Sequence, residues 1–148
     1  ANNAVVHTNE NVYAFNDAAV HYLLGEQVHN YVYPLENEWE NLFAGRDRGG
    51  ILPVHFYPEL FYSRMPVDIP RNNPQIRDNN QTDYREFIRD GIRTVIPQLP
   101  VSFSVYAKKI LKAGFRSFLF DLSYMPPADN LLSTLLKHWK NSESCSNR

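Results

Sequence analysis

His55 sits between Val54 and Phe56 in a short apolar run, where an imidazole titrating near neutral pH can serve as a general base. The plainer reading is a core histidine whose ring nitrogens are satisfied. Arg64 carries a planar guanidinium that can clamp a carboxylate or a phosphate through two parallel hydrogen bonds; its plainer reading is an ion pair with Asp68 or Asp78. Glu36 can act as a base or bind a ligand, or simply be an acid placed where the positive end of a helix dipole favours it. His55 and Glu59 stand four apart, the spacing that aligns two metal ligands on a helix, but Pro53 and Pro58 argue against a helix there. His7, His21, His29 and His138 are scattered, with no Asp or Cys partner at ligand spacing, so no zinc site is expected.

Nucleophilic chemistry finds little support. Ser63, Ser102, Ser104, Ser117 and Ser123 all lie outside a Gly-x-Ser-x-Gly elbow. Cys145 lies in a polar tail with no fixed base beside it. Gly45 and Gly49-Gly50 match neither Walker nor dinucleotide spacing, and no cofactor is expected. The arginines Arg71, Arg77, Arg85, Arg89 and Arg93 interleave with Asp78, Asp83, Glu86 and Asp90, which reads as a solvated face of alternating charge. Tyr13, Phe15, Tyr22, Tyr31, Tyr33, Phe56, Tyr57, Phe61 and Tyr62 can floor a pocket for a peptide or planar ligand, although core packing accounts for most of them.

The chain that must position these groups is 148 residues long, the size of one domain. At that size about 70% of the unfolded surface can be buried, so neither disulfide nor structural metal is needed. Hydrophobic residues at 43% and charged residues at 21% mark a globular protein. A net charge of -1 gives no electrostatic reason to expect nucleic acid or an anionic membrane as partner. The single cysteine excludes a disulfide framework and any cysteine-rich zinc or iron-sulfur site built from this chain alone. No apolar run approaches the roughly 20 residues of a membrane helix, and Ala1-Asn2-Asn3 lacks a signal-peptide pattern, so a cytoplasmic protein is expected.

Short β-rich runs alternate with helical patterns. Val5-Val6 and Asn11 to Phe15 read as strand, Asn16 or Asp17 as a cap, and Ala18 to Leu24 as a helix stopped by Gly25. Val28 to Tyr33 reads as a strand broken by Pro34, Glu36 to Phe43 as a short helix, and Ile51 to Tyr57 as a third strand. Pro66 to Gln81 is loop chemistry. Beyond it, period-two alternation over Asp83 to Arg89, the Asp90-Gly91 turn and Ile92 to Ile96 predict an antiparallel hairpin. Ser102 or Ser104 caps a helix ending at Gly114, Phe115 to Tyr124 reads as a buried strand, and Leu131 to Trp139 as an amphipathic helix capped by Asp129.

Four β-then-α units with right-handed crossovers predict an α/β fold: a partial (β/α) TIM-barrel-like domain over 1–141, with the hairpin inserted at about 82–97 and a disordered tail at 142–148. Half of an eightfold barrel cannot close, so pairing with a second copy or with the rest of a parent chain is expected. Barrel sites lie at the carboxyl ends of strands, which here singles out Asn16, Glu36, His55 with Glu59 and Arg64, and Asp121 with Tyr124.

The ordered series Asn11-Val12-Tyr13-Ala14-Phe15-Asn16, Pro34-Leu35-Glu36-Asn37, Phe61-Tyr62-Ser63-Arg64-Met65-Pro66-Val67, Ile76-Arg77-Asp78 and Lys112-Ala113-Gly114-Phe115-Arg116-Ser117-Phe118 resembles the second half of the peptidase U32 (collagenase-like protease) domain. The resemblance runs up to the last helix and implies the later βα units of a TIM-barrel-like domain, with Ser63 and Arg64 matching the family's Ser-Arg element. Some members hold an iron-sulfur cluster on cysteines; the corresponding stretch here, Pro58 to Arg64, has none, so that chemistry is not expected. A U32-type peptidase or hydrolase is therefore the expected function, with Glu36, His55 and Arg64 catalytic and Asn16, Ser63, Asp121 and Tyr124 binding a peptide or small-molecule substrate. The alternative is a non-catalytic binding or assembly module of a larger U32-like protein.

Overall fold

The computed structural model describes residues 4–65, 76, 77, 79 and 82–144, without the side chains of 143 and 144. The loop expected over Pro66 to Gln81 therefore lies largely outside the described residues. In chain order the elements are β1 (Val6–His7), α1 (Asp17–Gly25), β2 (Val28–Asn30), α2 (Trp39–Ala44), β3 (Ile51–Phe56), β4 (Phe61–Ser63), β5 (Ile76–Arg77), β6 (Asp83–Arg89), β7 (Ile92–Pro97) and β8 (Val101–Ser102). A single 3-10 turn (Ser104–Tyr106), α3 (Ala107–Lys112), β9 (Ser117–Phe120) and α4 (Leu131–Ser144) follow. The chain separates into two compact units, Ala1–His55 with Ser102–Arg148, and Phe56–Val101.

The expected partial TIM barrel is not the fold. Among the described residues the strands form three separate sheets, β1-β2, β8-β3-β9 and β4-β7-β6-β5, and the largest is antiparallel throughout. Parallel pairing joins β1 with β2, β3 with β9, and Val32 with Ile51 through one bridge. The period-two and 3.6 patterns carry no information on how far a ladder runs. Asn11 to Phe15, read as strand, forms no ladder, and the stacked Tyr13 and Phe15 rings (5.5 Å between centroids) occupy that stretch instead.

In the first unit Asn16 adopts an extended conformation and its Oδ1 accepts the Ala19 N–H at 2.9 Å, which starts α1. Gln27, in the left-handed region at φ 63°, turns the chain from that helix into β2. α2 begins at Trp39, so Glu36 lies in the preceding turn, where the Asn37 N–H donates to the Pro34 carbonyl at 3.2 Å. The expected serine caps are also absent: Ser102 and Ser104 hydroxyls meet each other at 3.1 Å and neither caps α3. α4 extends through Ser144, so 142–144 are helical where a disordered tail was expected, and 145–148 lie outside the described residues.

The core of this unit is Ala14, Val20, Tyr31, Tyr33, Leu42, Leu52, Val54, Ala107, Ile110, Phe115 and Trp139. Gly50 packs so tightly that a Cβ there would stand 2.8 Å from Tyr31 Cζ and Tyr33 Cε2, and the ring hydroxyls meet at 3.4 Å. Arg48 joins distant parts of the chain, donating to the carbonyls of Phe43 (2.9 Å), Asp47 (2.7 Å) and Ala113 (3.0 Å), with its guanidinium 4.8 Å from the Phe115 ring centroid.

In the second unit β6 and β7 form the expected hairpin, in register from Arg89–Ile92 to Tyr84–Pro97. Asp90 (φ 51°) and Gly91 (φ 74°) supply the two consecutive left-handed residues that a tight two-residue turn requires. The expected alternation of charges is partly paired: Arg77 grips Asp83 through Nε and Nη2 (2.7 and 3.1 Å), and Arg93 reaches Glu86 at 2.8 Å.

Candidate functional site

Pairing of β3 with β9 slips after Pro53: Pro53 faces Leu119 and His55 faces Phe120, so two steps along β3 match one along β9. Such a bulge re-aims the side chains beyond it. Here those side chains are His55, at the carboxyl end of β3, and Asp121, just past the end of β9, whose N–H donates to the His55 carbonyl at 2.7 Å. The chain then turns tightly, with the Met125 N–H bonded to the Leu122 carbonyl at 3.0 Å. That turn brings the Met125 thioether to 3.4 Å from His55 Nε2 and holds Tyr124, half-buried, in the same segment.

His55 is 3% exposed, and its Nδ1 makes no hydrogen bond to any described residue. Burial pushes the imidazole below its ordinary value of 6.5, and the nearby Asp121 carboxylate opposes that shift without reversing it. The ring is thus neutral at pH 7, with one nitrogen against a weak sulfur acceptor and the other unspent. Asp121 is itself held in place, since its Oδ1 accepts the Ser123 N–H at 2.9 Å. A neutral imidazole beside a fixed carboxylate can take up a proton and have the resulting charge stabilised.

Of the residues expected at a site, the structure brings His55 and Asp121 together, and Tyr124 follows in the turn beyond Asp121. Asn16 is committed to its cap. Glu36 is exposed, and among the described residues no hydrogen bond or ion pair links it to His55 or Asp121. Ser63 and Arg64 belong to the second unit, where the Ser63 hydroxyl accepts the Met65 N–H at 3.1 Å and Arg64 is exposed in a bend. Asp68 and Asp78, the alternative partners of Arg64, lie outside the described residues.

Two features lie outside the residues singled out from the sequence. Met125 was one, though a tight turn between an apolar strand and Pro126-Pro127 signals a side chain folded back on the strand end. The other is a polar knot around Asp17, Asp47 and Asn41. Asp17 accepts the N–H groups of Arg46 and Asp47 at 3.0 to 3.2 Å, which lowers its pKa, and the Tyr33 hydroxyl donates to the Asp47 carboxylate at 3.0 Å. Asn41 donates to Phe15 and Asn37 at 2.8 and 2.7 Å. These bonds are spent on tying loop to helix. Among the described residues no group of three or more His, Cys, Asp or Glu is placed to hold a metal, and no helix is long and apolar enough to cross a membrane. Comparison with family models, with curated proteins and with solved structures finds no significant match.

Proposed function

We propose that this chain is part of a U32-type peptidase and that its contribution to catalysis is His55, supported by Asp121. The observation that carries this reading is the neutral, buried imidazole at the carboxyl end of β3 with an unspent Nδ1 and a carboxylate alongside. The ordered motif series described above supplies the reaction class. In hydrolysis His55 would take a proton from water as the oxygen attacks the peptide carbonyl, then return it to the leaving amine as the C–N bond breaks. Asp121 would stabilise the intermediate imidazolium. Met125 covers the ring, so substrate access requires the Leu122–Met125 turn to move aside.

The test is hydrolysis of gelatin and of a fluorogenic collagen-like peptide by the purified chain. His55→Gln should abolish turnover with the fold intact by circular dichroism, and Asp121→Asn should reduce it by about tenfold or more. Turnover unchanged in His55→Gln, or no turnover by the unsubstituted chain, sinks the reading.

One observation favours a second reading, an assembly module. β4 is an edge strand of its sheet, and Phe61 and Tyr62 on it are 55% and 59% exposed. An exposed apolar edge is a template for strand addition, here by a second copy. Light scattering would show a dimer that Tyr62→Lys dissociates; a monomer at high micromolar concentration excludes it.

A further inference from the structure

α2, α3 and the 3-10 turn between β8 and α3 line a groove. Trp39 and Phe43, one helical turn apart on α2, face Tyr106 and Lys109 across a cavity of about 210 Å³. The Trp39 ring is central: it lies 5.4 Å from Phe43, 4.7 Å from Phe103 and 6.0 Å from Tyr106, centroid to centroid. Phe103 is anchored in turn, its N–H bonded to the Val54 carbonyl at 2.9 Å. The aromatic wall is therefore braced from behind, while Tyr106 stays 49% exposed at its mouth.

Size and charge narrow the occupant. A cavity of about 150 Å³ holds a benzene ring, so this groove takes one ring with a short polar substituent. Aromatic cages often serve cations, but here the Lys109 ammonium already stands 5.0 Å over the Phe43 ring and repels a second positive charge. Lys109 forms no ion pair among the described residues, and neither Glu38 nor Glu40 at the start of α2 neutralises it. Its charge is available to a ligand.

We infer that this groove is a binding subsite for an aromatic carboxylate, the ring lying against Trp39 and Phe43 and the carboxylate meeting Lys109. Neither the ring contacts nor the charge contact involves His55, so the inference stands apart from the hydrolase reading. A free aromatic acid and the carboxyl-terminal aromatic residue of a peptide offer the same chemistry.

The chain reports on the groove through its own indoles, because it contains two tryptophans, Trp39 in the groove and Trp139, which is 4% exposed. The two indole N–H resonances of the ¹⁵N-labelled full chain, assigned with Trp39→Phe, are followed while N-acetyl-L-phenylalanine is added. Saturable movement of the Trp39 resonance, with Trp139 still, is expected. The amide of the same ligand, which keeps the ring and loses the charge, should bind roughly two- to fivefold more weakly, the range of an exposed charge pair. Lys109→Met should remove that difference while leaving the amide's affinity unchanged. A short peptide ending in phenylalanine that binds like the acid identifies peptide termini as the source; binding of the acid alone identifies a small-molecule acid. A Trp39 resonance that does not move with the acid, an amide that binds as tightly, or an acid preference that survives Lys109→Met overturns the inference.

Discussion

His55 is buried with its pKa lowered, and this has a thermodynamic sign. In the unfolded chain the imidazole takes its proton near 6.5; in the folded chain burial delays that uptake to lower pH. Its contribution to stability is therefore complete above pH 6.5 and is lost as pH falls from there through the folded pKa, because the unfolded state binds more protons over that window. Melting temperatures at pH 7.5 and pH 5 should differ more for the unsubstituted chain than for His55→Gln; equal differences would mean that the histidine titrates alike in both states. Gly50 is a residue-scale case of another kind. A methyl there would press on the Tyr31 and Tyr33 rings, both buried in the core. Gly50→Ala should cost about 1–3 kcal/mol, as overpacking does, read from the midpoint of urea unfolding.

At the scale of elements, α4 has one fully buried side chain among its described residues. Trp139 is 4% exposed and packs on the Phe118 and Phe120 rings of β9, at 4.9 and 5.9 Å between centroids, while Leu132 and Leu136 on the same helix remain exposed. Trp139→Ala should cost about 3–5 kcal/mol. It should also lower the helical signal in far-ultraviolet circular dichroism before global unfolding; a loss under 1 kcal/mol would show that α4 is held by something else. The three- and four-residue spacing of Leu131-Leu132, Leu135-Leu136 and Trp139 was legible in the sequence, as were a cap at Asn16 or Asp17 and the Asp90-Gly91 hairpin, because each is decided by residues a few positions apart. What pairs with what was not. Which strand β3 pairs with depends on contacts across dozens of residues, here β9, which periodicity does not encode. The candidate site divided along the same line. His55 and Asp121, read as strand-end residues, lie at the ends of β3 and β9, while Glu36 lies in the turn before α2, which begins three residues later than its charge pattern suggested.

For the whole molecule, the division into two compact units predicts two levels of protection. The Gly50→Ala change lies in the first unit, so amide exchange should accelerate through β2, α2, α3 and β9 more than through the β6–β7 hairpin. Uniform acceleration across both would mean that the units open together.

Arg48 gives this division a direction in time. Its guanidinium closes on the Ala113 carbonyl, 65 residues further along the chain, and on the Phe115 ring. A ribosome adding about 5–20 residues per second leaves those partners unmade for roughly 3 to 13 s after Arg48 appears. Until then Tyr31, Tyr33 and Leu42 lack the ring that completes their cluster. The second unit is made wholly within that interval, and its hairpin pairs only near neighbours. The middle of the chain can thus be finished while the apolar cluster of the first segment is still incomplete.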